Sequence, residues 1–274
     1  MIGSTDLVRW RIATYELSMK SLLDVPNELW RAVRAVGFDI DDTVTTDGRV
    51  TAEAYSAMWA LKEAGFRVLA VTGRPAGWCD MIARTWPVDG VLGENGALFF
   101  RRVDQIVSRY DLGTPPAPGQ LEALAERLLQ RFPELKVASD QFCRRFDLAI
   151  DFAEEIGPFP IARAEALARA FEDEGAKAKV SSIHVNGWFG TWDKASGLQQ
   201  VLRHHFDLGT HQLAYVGDSP NDGPLFEIAA LSVGVANIRD FADLPEAPAF
   251  VTPSAQGAGF AEFVTRLMEE QSLP

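Results

Sequence analysis

"VRAVGFDIDDTVTTDG", from Val33 to Gly48, runs an apolar stretch straight into three carboxylates, Asp39, Asp41 and Asp42. Its "AVGFDI" portion reads as a short buried strand. Like charges crowded at the end of such a strand raise one another's pKa and cost stability. A metal ion, a positive side chain or a catalytic use has to compensate them. Asp39 and Asp41 are two residues apart, so they face the same side for as long as the chain stays extended.

Outward from that stretch the pattern alternates. "TAEAYSAMWALKEAG" has helical periodicity and closes on Gly65. "FRVLAVTG" is a strand, "AGWCDMIARTW" a helix and "VDGVLGENG" a third strand and turn. This alternation predicts a parallel sheet with helices on both faces. From Ala97 the rhythm changes. "GALFFRRVDQIVSRYDLG" reads as a strand pair and "GTPPAPG" as a loop, followed by the helix "QLEALAERLLQRF". Strands lie within "LKVASDQFCRRFDLAIDF" and "AKAKVSSIHVNGWFG", with a helix over Ile161 to Asp173 between them. Two strands per helix imply a small α+β module. After Asp193 the alternation resumes, with the helix "KASGLQQVLRHHF", the strand "HQLAYVGD", a helix from Asn221, the strands "LSVGVA" and "AFV", and a last helix over Phe260 to Glu270. The expected fold is an α/β, Rossmann-like parallel-sheet core with an inserted α+β domain. Its expected parts are an N-terminal extension of unassigned role at 1–33, the core at 34–98 and 190–274, and the insertion at 99–189.

Composition narrows the partners. The 274 residues are 47% apolar and carry a formal charge of −12, which argues against general nucleic-acid or anionic-membrane binding. The two cysteines, Cys79 and Cys143, stand in no metal-ligand spacing and build no disulfide framework. Asp6, Arg9, Arg11 and Glu16 interrupt any signal-peptide core, and no apolar run reaches transmembrane length. A cytoplasmic protein with buried, reduced thiols and a small-molecule partner is expected.

In open α/β sheets ligands bind outside the carboxyl ends of the strands. Asp39 and Asp41 end the first strand, Thr72 and Gly73 the second, and Asp218 a later one, followed by Ser219, Pro220, Asn221 and Asp222. Lys194 opens a helix just after the insertion. Hard oxygens from Asp39 and Asp218 suit Mg²⁺, whose charge would offset the repulsion noted above. One aspartate can then attack phosphorus, while a second protonates the leaving alkoxide and later deprotonates water. Thr72 hydroxyl and Lys194 ammonium would hold the phosphate oxygens. A calcium loop is excluded by spacing, because Val44 and Val50 occupy the positions that need Gly and Glu. Singly, each feature has a blander role: an acidic loop, a strand-end hydroxyl, a surface lysine, or a helix start with Ser219 as N-cap and Pro220 behind it. Their joint order points to phosphoryl transfer.

With "DIDDT", "VTG", Lys194 and "GDSPND" in that order, the chain from Arg34 onward resembles the haloacid dehalogenase (HAD) superfamily, and within it the Cof-like phosphatases with a large α/β cap. "GENGA", Gly93 to Ala97, resembles the family's approach to its cap. The resemblance implies Asp39 as nucleophile and Asp41 as general acid/base. It implies Mg²⁺ held by the carboxylates of Asp39 and Asp218 and the main-chain carbonyl of Asp41, with Asp222 in support. Thr72, Gly73, Lys194 and Asn221 would bind phosphate. Asp42 stands where many relatives have Gly, and Lys194 is followed by Ala195 and Ser196 where Gly often comes sooner. The aspartate two places after the nucleophile separates the chain from the halide-removing members. The implied activity is Mg²⁺-dependent hydrolysis of a small phosphorylated metabolite, a sugar phosphate foremost. A phosphosugar mutase of the phosphomannomutase type is the alternative enzyme, and a non-catalytic phosphate-binding regulatory protein the alternative class. Substrate choice would fall to the insertion. Arg144, Arg145, His184, Asn186, Trp188 and Trp192 are its candidates, although core packing or ion pairing is the commoner role for each.

Overall fold

The computed structural model describes residues 19–241 and 244–272. In chain order its first elements are β1 (Lys20–Ser21), α1 (Asn27–Ala32), β2 (Ala35–Phe38), β3 (Thr45–Thr46), β4 (Arg49–Val50), α2 (Ala52–Glu63) and β5 (Arg67–Val71). Next come α3 (Ala76–Thr85), β6 (Gly90–Gly93), β7 (Leu98–Val103), β8 (Ile106–Asp111), α4 (Gln120–Arg131), β9 (Lys136–Val137) and β10 (Asp147–Asp151). The chain continues through α5 (Ile161–Asp173), β11 (Lys177–Val180), β12 (His184–Trp188), α6 (Lys194–Val201) and β13 (Leu213–Gly217). It ends with α7 (Gly223–Ile228), β14 (Leu231–Gly234), β15 (Phe250–Val251) and α8 (Gln256–Ser272). Among the described residues no helix is long and apolar enough to cross a membrane.

These elements form two compact units, one holding the described residues 19–71, 86–90, 198–241 and 244–272, the other 72–85 and 91–197. In the first unit the strands run in the order β1-β15-β14-β13-β2-β5, every neighbouring pair parallel. All four residues of β2 are buried, as the uninterrupted apolar run "AVGF" requires of a strand covered on both faces. Helix α2 starts where Thr51 Oγ1 accepts a bond from Ala54 N at 3.2 Å, and it buries Ala54, Ala57, Met58 and Leu61 at helical spacing. It packs against α8, which buries Phe260, Phe263, Val264 and Leu267.

Part of the N-terminal extension belongs to this unit. β1 pairs in parallel with β15, and Trp30 of α1 is 1% exposed with its ring 5.8 Å from that of Phe263. Gln271 Nε2 closes the contact by donating to Trp30 O at 2.6 Å. Trp10, Tyr15 and Leu17, also read as part of the extension, lie outside the described residues.

The second unit contains the antiparallel hairpin of β7 and β8 and a four-stranded antiparallel sheet, order β11-β12-β10-β9. Helices α4 and α5 bury Leu124, Leu128, Leu167 and Phe171 with Leu148, Ile150 and Val185 of the sheet. Because side chains alternate along a strand, Asp147, Ala149 and Asp151 of β10 share the other face with their partners Trp188, Asn186 and His184 of β12. Gly187 lies on the helix side, where an added Cβ would run into the Phe171 ring. Cys79 and Cys143 are free thiols, the first buried, the second half-buried where the sequence reading expected burial. The unit takes in all of 99–189 together with 72–85, 91–98 and 190–197, which the sequence reading assigns to the core. The core-and-cap division is kept as a proposal, since it rests on motif order whereas the units reflect packing.

Candidate active site

Three carboxylates converge in the first unit. β2 stops at Phe38, and Asp39 follows with its N–H donating to Val216 O at 3.0 Å and its Oδ1 accepting from Ile40 N at 2.8 Å. Asp218 follows the last residue of β13, and Asp222 closes the short turn Pro220–Asp222. One carboxylate oxygen from each of Asp39, Asp218 and Asp222 lies within 4.8 Å of the others, and all three residues are buried. Asp218 Oδ1 accepts from Thr43 Oγ1 at 3.0 Å, and its Oδ2 from Asn237 Nδ2 at 3.4 Å. Asp222 Oδ1 accepts from Tyr215 Oη at 2.8 Å, while its Oδ2 takes the N–H groups of Asp218 and Ser219 at 3.2 and 3.3 Å. Burial first, then the charges of Asp222, Asp39 and Asp42, push the Asp218 carboxyl well above the usual carboxylate range, against the pull of Thr43. The donor set is all carboxylate oxygen, which fits a hard divalent cation better than a softer metal.

The alternation expected at Asp39 and Asp41 does not hold. The chain turns at once, because Ile40 O accepts from the N–H groups of Thr43, Val44 and Thr45 at 3.4, 3.1 and 3.1 Å. Asp41 is half-buried in this turn, and its carboxylate is not one of the clustered three. Asp42 adopts φ 55°, with its N–H on Thr45 Oγ1 at 2.9 Å, its carbonyl taking Asn237 Nδ2 at 3.0 Å and its Oδ1 taking Gln256 Nε2 at 3.1 Å. It fastens the turn to the segments that carry Asn237 and Gln256. Asn221 is buried, and its Oδ1 accepts from Ser219 Oγ at 2.9 Å.

Thr72, Gly73 and Lys194 belong to the second unit. Thr72 comes directly after β5, with its Oγ1 accepting from Arg74 N at 3.0 Å. Lys194 is buried at 3% exposure as the first residue of α6. Asp193 Oδ1 accepts from Ser196 N at 2.8 Å and Ser196 Oγ from Asp193 N at 3.0 Å, so the serine that departs from the family pattern closes the helix start.

The insertion candidates are largely spent on partners inside the unit. Arg144 pairs with Asp140 and Asp147 at 3.1 and 3.0 Å, and its side chain has no exposure. His184 Nε2 stands 2.8 Å from Glu154 Oε2, a hydrogen bond when that nitrogen is protonated, and Arg74 Nη2 reaches Glu154 Oε1 at 2.7 Å. Asn186 Nδ2 donates to Asp147 Oδ2 at 3.1 Å, Trp188 stacks on Trp192 at 6.4 Å, and Arg145 is exposed. Sequence reasoning did not single out Glu94, Asn95, Asp140, Asp147, Glu154 or Arg74. The quoted "GENGA" was the signal for the first two, and the charges inside the strand-like "CRRFDLAIDF" the signal for Asp147. Burial and Asp147 push the Glu94 carboxyl up to about 7, against the N–H groups of Arg145 and Phe146.

Comparison with known proteins agrees with this architecture. The family model described as haloacid dehalogenase-like hydrolase matches residues 36–126 and 165–264. A protein of Methanothermobacter thermautotrophicus named phosphoglycolate phosphatase is 28% identical over 244 residues, covering 86% of this chain and 99% of its own. A HAD/COF-like hydrolase of Plasmodium vivax superposes with a TM-score of 0.66 at 16% identity, covering 89% of this chain and 99% of that one. A HAD subclass IIB sugar phosphatase superposes at 0.61 with 15% identity, over 86% and 99% of the two chains. The chain belongs to the haloacid dehalogenase-like hydrolases.

Proposed function

We propose that the chain is a Mg²⁺-dependent phosphatase of a small phosphorylated metabolite, acting through an aspartyl-phosphate. The buried cluster of Asp39, Asp218 and Asp222 carries this reading, since three carboxylates held together in the interior suit a hard divalent cation. These residues, with the main-chain carbonyl of Asp41, would hold the ion. When bound, it would supply positive charge that offsets the carboxylates and the charge developing on the phosphoryl group. Asp39 attacks phosphorus, forming an O–P bond as the bond to the leaving alkoxide breaks, and Asp41 protonates that alkoxide. Asp41 then takes a proton from water, whose oxygen displaces Asp39 and releases phosphate. Thr72, Gly73, Lys194 and Asn221 are assigned to the phosphate oxygens on their match to the family's motifs. Phosphoglycolate, the substrate in the names of relatives, is the first compound to test, with sugar phosphates beside it.

The test is phosphate release from phosphoglycolate and a panel of sugar phosphates, with and without Mg²⁺, while following sugar-phosphate isomers. Mg²⁺-dependent release that disappears in Asp39→Asn supports the reading. Isomer formation without release moves the chain to the mutases, and no turnover at all leaves a phosphate-binding protein.

A further inference from the structure

Two segments meet inside the second unit: the turn from Thr72 to Ala76, and the chain from Arg144 to Asp147. The main chain of the turn is held at several points. Thr72 N donates to Leu92 O at 2.8 Å, Thr72 O accepts from Asn95 N at 3.2 Å, and Ala76 N donates to Glu94 Oε1 at 2.9 Å. Between them, Gly73 O accepts from Arg144 Nη1 at 2.8 Å and Arg74 N donates to Thr72 Oγ1 at 3.0 Å. Gly73 O and Arg74 N–H are the two ends of one planar peptide unit. Arg144 therefore fixes one end of a plate whose other end fixes the Thr72 hydroxyl oxygen. With a lone pair taken by Arg74 N–H, the hydroxyl keeps its own hydrogen to donate outward.

Arg144 is itself held. Nη1 also reaches Asp147 Oδ1 at 3.0 Å, while Nε and Nη2 donate to the two oxygens of Asp140 at 3.1 and 3.3 Å. Four of its five N–H groups are thus committed, which leaves little with which to receive a substrate anion. Asp147 Oδ2 takes Asn95 Nδ2 at 3.2 Å and Asn186 Nδ2 at 3.1 Å. Glu94 Oε2 takes the N–H groups of Arg145, Phe146 and Asp147 at 3.0, 2.5 and 3.2 Å. Glu94 and Asn95 sit at φ 44° and 55°, a left-handed backbone that persists only where the surroundings over-determine it. A Cβ on residue 73 would stand 3.2 Å from Asn95 Oδ1 and 3.6 Å from Asn186 Oδ1, so the same amides wall the turn.

We infer that Arg144 is a positioning residue for phosphate binding, acting through the Gly73–Arg74 peptide to orient the Thr72 hydroxyl. This rests on the reading of Thr72 as a phosphate ligand. The decisive experiment is a double-mutant cycle on full-length protein, with inorganic phosphate as competitive inhibitor. Arg144→Lys keeps the buried positive charge but cannot span Gly73 O, Asp147 and Asp140 together. It is expected to raise the phosphate inhibition constant and KM about tenfold, and to raise neither further in a Thr72→Val background. Should Arg144→Lys fail to fold, Asn186→Ala removes one donor from Asp147 and is expected to raise the inhibition constant two- to threefold, again only where Thr72 is present. An unchanged inhibition constant in a folded variant, or effects that multiply with Thr72→Val, would overturn the inference and leave the phosphatase reading standing. Wild-type protein with neither turnover nor phosphate binding would remove both.

Discussion

The two units each bury a group of acids, and the partners seen around the two groups differ. In the second unit Arg144 stands between Asp140 and Asp147, and Arg74 reaches both Glu154 and Asp140. Cations of the chain itself are built into that cluster, so its charges serve the architecture. In the first unit Asp39, Asp218 and Asp222 face one another, and the hydroxyls of Thr43 and Tyr215 and the amide of Asn237 are among their hydrogen-bond donors. Asp218 is pushed up there by burial and by its neighbours. Crowded carboxylates in the interior are what an added cation relieves. The aspartates of "DIDDT" therefore divide: Asp39 joins the acidic cluster that could hold a metal ion, while Asp42 ties down a turn.

The sharpest way to break this contrast is Asp39→Asn. Loss of the proposed nucleophile should lower kcat by about a thousandfold or more, measured as phosphate release, with the fold intact. A variant that keeps near-wild-type turnover would remove Asp39 from the chemistry. Next in size is Asp147→Ala. It leaves Arg144 buried beside a lost partner and should cost about 3–5 kcal/mol in denaturant unfolding, whether or not Mg²⁺ is present. Mg²⁺ itself should stabilise the wild type by about 2.7 kcal/mol at a hundred times its Kd, and Asp218→Asn should abolish that gain in melting experiments. An Asp218→Asn protein that responds to Mg²⁺ as fully as the wild type would place the ion elsewhere.

The smallest effect is one of pH. Burial would raise the Glu154 carboxyl, but the His184 hydrogen bond and Arg74 outweigh it and hold it down to about 2, against an ordinary value of 4.5. The folded protein thus binds this proton more weakly than the unfolded chain does. The contribution of Glu154 is present above pH 4.5 and is lost as pH falls from there towards about 2. Glu154→Gln should flatten the fall in stability across that window, and an unaltered slope would show that the ion pairs there contribute nothing.

Much of the fold was legible in local pattern. Helix α5 begins and ends where the apolar spacing placed it, at Ile161 and Asp173, and the β7–β8 hairpin follows its strand-pair pattern. Helix α8 was read four residues short at its start, because Gly257 and Gly259 weaken the helical signal that packing overrides. The strand before Asp39 was read through to Ile40, since no sequence rule announced that the Ile40 carbonyl would gather three N–H groups and turn the chain. At the site, residues next to strand ends were legible because a parallel sheet delivers them to one edge. Asp39 and Asp218 are of this kind, each following the last residue of its strand.

The sequence by itself determined the kinds of element, their order and the aspartates at the strand ends, because periodicity and strand termination are local properties. Only the tertiary structure decided that Asp42 is held by Asn237 and Gln256, that Trp30 belongs to the core, and that Arg144 is committed to Gly73, Asp140 and Asp147. Those outcomes depend on which distant groups share a low-dielectric interior. There an unmatched charge or an unpaired carbonyl is costly, and its partner is found across the fold rather than along the chain.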